Sequence, residues 1–423
     1  MSNPLFRRIG AALLPAVLAG CATQAPAPIA EPEPEAAPVS KPASPSYPPL
    51  PELPREITRT PLPPVPAPVA PRPATPRPAP FPGEQEIRAA VLRRLPARIA
   101  DRAGWAAEMQ VAFSSLRIPP SNENLCSAMA VIEQESSWQG DPVVPGLGAI
   151  VWREMYEKAA HYAVPKFVVD LAMLKTSPNG VSYRKRVDSL RTEREMNRLY
   201  EDMVAELPDA ARALGGKNPI KTGGPMQVSV DFAEALNRER PYPYAKRDTV
   251  RHEVFTRRGG LYYGIAMLLD YPAVYSSPRY RFADFNAGRY SSRNAAFQRA
   301  LASLSARKID PDGDLLRYDK AERPLTVASD SEKALASLAS RLGMSPAEIR
   351  RDLLLEKVSA FSQTPLWQKL FALADRQAGK AVPREAMPRI ELKSPKIHRK
   401  LTTEWFADRV WGRYQACMSR SLP

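Results

Sequence analysis

Two carboxylates close an apolar stretch at residues 128–138, Ala-Met-Ala-Val-Ile-Glu-Gln-Glu-Ser-Ser-Trp. Leu125, Ala128, Met129, Val131 and Ile132 recur at helical spacing. Continuing that stripe by three or four residues reaches Glu135 and Ser136. A carboxyl at the polar end of an apolar stripe is partly desolvated, which disfavours its charged form and raises its pKa. A carboxyl that keeps its proton near neutral pH can serve as a general acid. Taken alone, a Glu near a helix end is most often a solvated surface residue. Glu133, on the Cys126/Ala130 side of the same helix, is the rival acid, and spacing alone does not choose between the two.

The helix that must carry these groups has start and stop signals. Ser121 follows two prolines and suits an N-cap, while Gly140 with Asp141-Pro142 ends the helical pattern. Around it, the 423-residue chain allows two or three domains. Its net charge of +15 favours a polyanionic partner or surface. The basic residues are dispersed, with no zinc-finger spacing or RNA-binding aromatic signature, which argues against nucleic acid. His161, His252 and His398 lie far apart, so no His-rich metal site is expected. There is neither a P-loop nor a G-x-G-x-x-G, and no cofactor is expected.

Residues 1–20 pair Arg7 and Arg8 with an apolar run from Ile9 to Ala19, too short to span a bilayer and read as a signal peptide. The run ends in Leu18-Ala19-Gly20-Cys21, which resembles a bacterial lipobox. That resemblance implies cleavage before Cys21 and lipidation of its thiol. Ala22, rather than Asp, follows, which by resemblance to Gram-negative lipoproteins implies an outer-membrane protein facing the periplasm. Residues 21–83 then read as a Pro/Ala-rich tether, expected to be disordered. Of the 46 prolines, 22 fall between Pro26 and Pro82. Repeated proline holds a chain near polyproline II. About 60 such residues reach on the order of 190 Å when extended. With Cys21 lipidated, Cys126 and Cys417 are the two cysteines left in an exported chain, and a disulfide between them is expected.

From Glu84 the pattern is globular and mainly α. Residues 151–207 read as two or three helices, and residues 259–270 as an apolar helix. A further helix starts at Tyr280 and ends near Leu304, and an amphipathic one runs from Thr403 to about Met418. Ser345 and Pro346 mark a helix start between these last two.

Three segments resemble, in order, the motifs of the lysozyme-like lytic transglycosylases, related in fold to goose-type lysozyme. Glu135-Ser136 matches the family's Glu-Ser motif, whose Glu is catalytic. Gly224-Pro225-Met226-Gln227 matches its Gly-Leu-Met-Gln turn, and Phe285-Asn286-Ala287-Gly288 its Tyr-Asn-Ala-Gly segment. The resemblance covers about residues 120–305, within a chain that looks like an uncharacterised bacterial lipoprotein family. It implies a lysozyme-like domain at 84–305, interrupted by an insertion at about 150–218 that is helical by pattern; the tail it does not cover, 306–423, is expected by pattern to be a helical C-terminal extension packed on the core. It also implies Glu135 as the catalytic residue, with Ser136, Met226, Gln227, Phe285 and Asn286 lining the site for peptidoglycan glycan strands. The product would be a 1,6-anhydro-muramic acid end. Phe285 stands where the family has Tyr; Tyr262, Tyr263 and Tyr290 are the candidates to supply the missing hydroxyl. Most glycosidases use a second carboxylate. None is fixed by motif here, although Asp141, Asp231 and Asp284 lie nearby in sequence. A hydrolytic muramidase and a non-catalytic peptidoglycan-binding lipoprotein are the alternatives.

Overall fold

In a computed structural model of the chain, residues 80–208, 218–245, 248–319, 322–392 and 401–420 are described. The expected signal peptide, Cys21 and nearly all of the expected tether lie outside the described residues. The protein is mainly helical, with two short antiparallel ribbons, β1–β2 (Thr222–Gly223 with Val228–Ser229) and β3–β4 (Glu391–Leu392 with Leu401–Thr402). No described helix is long and apolar enough to cross a membrane.

The main core is built by α1 (Glu84–Arg94), α2 (Arg102–Leu116) and α3 (Asn122–Ser136). Ser121 caps α3 by accepting from Asn124 N at 3.2 Å, which satisfies one of the amides left unpaired at a helix start. Every residue of α3 from Leu125 to Ile132 is buried, so this helix is wrapped on all sides rather than on one stripe. It ends where Ser137 and Trp138 both take positive φ, at 51° and 67°.

Residues 147–205 form a layer with its own apolar cluster. Its helices are α4 (Leu147–His161), α5 (Lys166–Ala172), α6 (Tyr183–Asp188) and α7 (Glu193–Ala205). The sequence pattern resolved two or three helices there. The additional ones are the short α5 and α6, of seven and six residues, too brief for a 3.6-residue period to show. Thr192 and Glu195 close a capping box at the start of α7.

The chain then returns to the main core with the β1–β2 ribbon, α8 (Val230–Glu239), α9 (Val250–Val254), α10 (Arg257–Leu269) and α11 (Pro278–Ala287). Where the pattern suggests one helix from Tyr280 to near Leu304, the chain breaks into α11 and α12 (Ser291–Ser305). Gly288 has φ +112° and Tyr290 φ +69°. Asp284 holds this break: it accepts from Tyr290 N at 2.9 Å, Ser292 N at 2.6 Å and Tyr275 Oη at 2.6 Å.

A third cluster joins α12 to α13 (Asp330–Leu342), α14 (Pro346–Leu353) and α15 (Pro365–Ala378). Ser345 and Glu348 form a capping box at α14, with Pro346 in its first turn. The expected C-terminal extension is therefore divided. Its helices up to α15 have a core of their own, but α16 (Thr403–Met418) returns to the main core and packs on α3 and α11. Phe406, Val410 and Tyr414 bury its apolar face, and a disulfide joins Cys417 to Cys126 of α3.

Candidate active site

Glu135 lies in the last turn of α3. It keeps partial solvent access, yet protein surrounds it closely enough to desolvate its carboxyl. Burial, and then the negative charge of Glu193, push its pKa up to about 7. No described residue hydrogen-bonds its carboxyl. Glu133 has a different setting. It pairs with Arg98 and lines a hollow with Asp408, Arg409, Arg413 and Arg420, in which cations outnumber carboxylates. The two carboxylates are two residues apart on one helix, about 200° around its axis.

Ser136 is buried, and its hydroxyl donates to the Ile132 carbonyl at 2.9 Å, so it is committed to its own helix. Trp138 sits edge-on to Trp105, with ring centroids 5.2 Å apart.

The turn 224–227 joins β1 to β2. Gly224 has φ +72°, and a side chain there would meet the Val254 carbonyl oxygen at 2.3 Å. Met226 is fully buried; a Cβ on Gly264 would come within 2.5 Å of its sulfur, so the bare glycine makes room for it. Gln227 also has positive φ, at 50°. A non-glycine residue in that region is sparsely populated, and such residues gather at functional sites. The Gln227 amide nitrogen donates to Glu193 Oε2 at 2.9 Å, and Thr222 Oγ1 donates to Gln227 Oε1 at 3.3 Å.

Glu193 is a carboxylate that the sequence pattern did not single out. It is the first residue of α7, in the 147–205 layer, and its position is fixed from two sides. Arg194 pairs with Asp141 at 2.6 Å, and Val144 N donates to the Arg191 carbonyl at 2.8 Å. Both contacts tie the start of α7 to the loop that follows Glu135. Glu193 also lines a largely apolar cavity of about 320 Å³ between α4, α7 and residues 219–222. That cavity does not include Glu135.

Phe285 is buried in the main core. Asn286 is exposed, and its Oδ1 accepts from Thr403 Oγ1 at 3.0 Å at the start of α16. None of the three candidate tyrosines bonds Glu135. Tyr262 Oη approaches the Pro241 carbonyl at 3.5 Å, and Tyr290 stands at the α11–α12 break beneath the Arg293 guanidinium. Tyr263 Oη is buried with no hydrogen-bond partner among the described residues. Of the nearby aspartates, Asp141 is held by Arg194, Asp284 caps the helix break, and Asp231 is exposed in the first turn of α8. Among the described residues no group of three or more His, Cys, Asp or Glu is placed to hold a metal.

A family model described as "Protein of unknown function (DUF1615)" matches residues 98–420, which include every described residue of this site. The chain is similar to a protein of Escherichia coli (strain K12) described as "Uncharacterized protein YaiW". The two are 47% identical over 335 residues, which is 79% of this chain and 90% of that relative. No solved structure matches. With three quarters of its length matched, the chain belongs to the DUF1615 family of proteins of unknown function.

Proposed function

We propose that this chain is a peptidoglycan lytic transglycosylase with a lysozyme-like core, held at the outer membrane by a lipidated Cys21 and acting on glycan strands in the periplasm. The observation that carries the reading is Glu135: a carboxyl pushed to about 7, without a hydrogen-bonding partner among the described residues, in the last turn of the core helix. Such a group keeps its proton in about half of the molecules near pH 7, and in that form can donate it to a ligand. In this mechanism Glu135 protonates the glycosidic oxygen as the bond to the leaving sugar breaks. The substrate's own acetamido group stabilises the oxocarbenium-like centre. The Glu135 carboxylate then removes a proton from the muramic acid 6-hydroxyl, which attacks to close the 1,6-anhydro ring. Gln227 and Asn286 would contribute amide contacts to the sugars; Met226 and Phe285, both buried, would shape the walls.

The test is digestion of purified sacculi by the purified protein, with mass analysis of the muropeptides. Release of 1,6-anhydro ends is the expected outcome. Products heavier by one water would establish the hydrolytic muramidase, a reading that Glu193 favours as a second carboxylate. Retained binding to sacculi with no soluble product would establish the binding-only protein, a reading that Phe285 favours. Mass spectrometry of the mature protein should find an acylated Cys21.

A further inference from the structure

We propose that Glu193 is the positioning residue of this site, delivered by the inserted helices to fix the Gln227 amide and to act on the Glu135 carboxyl. The proposal rests on the glycan-cleaving reading for its catalytic consequence, and on the geometry alone for its structural one.

The geometry has three parts. Glu193 stands at the start of a helix whose first turn is locked by the Thr192/Glu195 capping box. The Arg194–Asp141 ion pair and the Val143–Thr192 bridge clamp that turn to the loop leaving α3. Gln227, held at positive φ, spends an amide hydrogen on Glu193 Oε2 at 2.9 Å. The Gln227 turn, the loop leaving α3 and the 147–205 layer thus meet at the first turn of α7. Thr222 and the Gly224 carbonyl hold the Gln227 amide from within the turn, at 3.3 and 3.4 Å, and Glu193 holds it from outside at the shorter 2.9 Å.

The charge on Glu193 has a second effect. Arg98, Asp408, Arg409, Arg413 and Arg420 gather at Glu133, toward α16. On α10, Arg257 is engaged by Asp101 and Glu108 of α2, and Arg258 by Glu253. Asp141, on the loop after α3, is engaged by Arg194. Among the described residues, Glu193 is the charge that bears on Glu135, and its sign favours the protonated acid. Removing it lowers the pH above which the acid is lost.

Three variants separate charge from hydrogen bond. Glu193→Gln keeps an acceptor for Gln227 and loses the charge, Glu193→Asp keeps the charge, and Glu193→Ala loses both. Carbon-13 NMR of the Glu135 carboxyl reads its titration directly. In Glu193→Gln the midpoint should fall by about one unit, yet stay above the ordinary carboxylate range, because burial is the larger cause. Glu193→Asp should titrate like the parent. In sacculus digestion the alkaline limb of kcat/KM should move down with the same midpoint, and Glu193→Ala should also raise KM. An unmoved Glu135 midpoint in a folded Glu193→Gln protein overturns the proposal. Absence of glycan cleavage by the parent protein overturns the lytic reading instead, and the titration still decides the role of Glu193.

Discussion

Glu135 and Glu356 are both carboxyls pushed to about 7 by burial, in different cores of one molecule. Glu356, just beyond α14, is fully buried and accepts from Leu315 N, Leu316 N at 3.1 Å and Tyr318 Oη. Every donor around it is a protein group, and the carboxyl serves to tie the segment 315–318 to the C-terminal helices. Glu135 has the same acidity, keeps partial access and has no hydrogen-bonding partner among the described residues. A raised pKa therefore does not mark a reactive site by itself. What separates the two is where the donors come from: the fold supplies them at Glu356 and leaves the place open at Glu135.

That contrast can be broken at either end. The largest expected effect is Glu135→Gln, which keeps size and loses the proton. Removing a positioned acid costs roughly 100- to 10,000-fold in rate, so release of anhydro muropeptides should fall by that order while the thermal midpoint near neutral pH does not fall, since a glutamine cannot ionise where burial opposes the charge. Glu356→Ala should do the reverse. It leaves two buried amides and a tyrosine hydroxyl unpaired, for a loss of about 3 kcal/mol in denaturant unfolding, with specific activity of the folded fraction unchanged.

The pH dependence sharpens the comparison further. Both carboxyls are raised from the ordinary 4.5 to about 7 in the folded state. Between those values the folded protein binds more protons than the unfolded chain, so stability falls as pH rises through that window. Glu356→Gln cannot ionise and should remove its share of the slope, at most about 3 kcal/mol between pH 4.5 and 7, as seen in melting temperatures across that range. The smallest effect belongs to Glu133→Gln. Its carboxylate faces arginines rather than the Gln227 turn, so activity should change by less than about threefold, within the range of an exposed ion pair.

Local signals carried much of this into the sequence. Ser121 as cap, the α3 stripe, Pro346 at a helix start and the amphipathic face of α16 each depend on neighbours within a few positions. Glu193 was not legible, because it reaches the site from the far side of an insertion and sits in a charged run that looks solvated. Glu356 was hidden for a similar reason: Leu-Leu-Glu-Lys reads as the edge of an amphipathic helix, and its partners lie about 40 residues upstream. The break at Gly288–Tyr290 escaped because its cause, Asp284, acts through a tertiary turn rather than through spacing. The mainly helical class survived all of this, since long periodic segments report their type more faithfully than their ends. The return of α16 to the first core had only the Cys126 and Cys417 pairing to announce it.

The Cys126–Cys417 bond is also a shortcut for tension. It spans 291 positions of sequence, and Glu135, Glu193, Gln227 and Asn286 all lie inside the covalent ring it closes. A pull applied between the two ends of the chain runs through α1 and α2, crosses the sulfur bridge and leaves through the last residues. The inserted layer, the C-terminal helices and the whole candidate site carry none of that load. Stretching the molecule end to end should first strip α1 and α2, and lengthen by the contour of a hundred-odd residues rather than four hundred. With the bridge reduced, the same pull would reach the site.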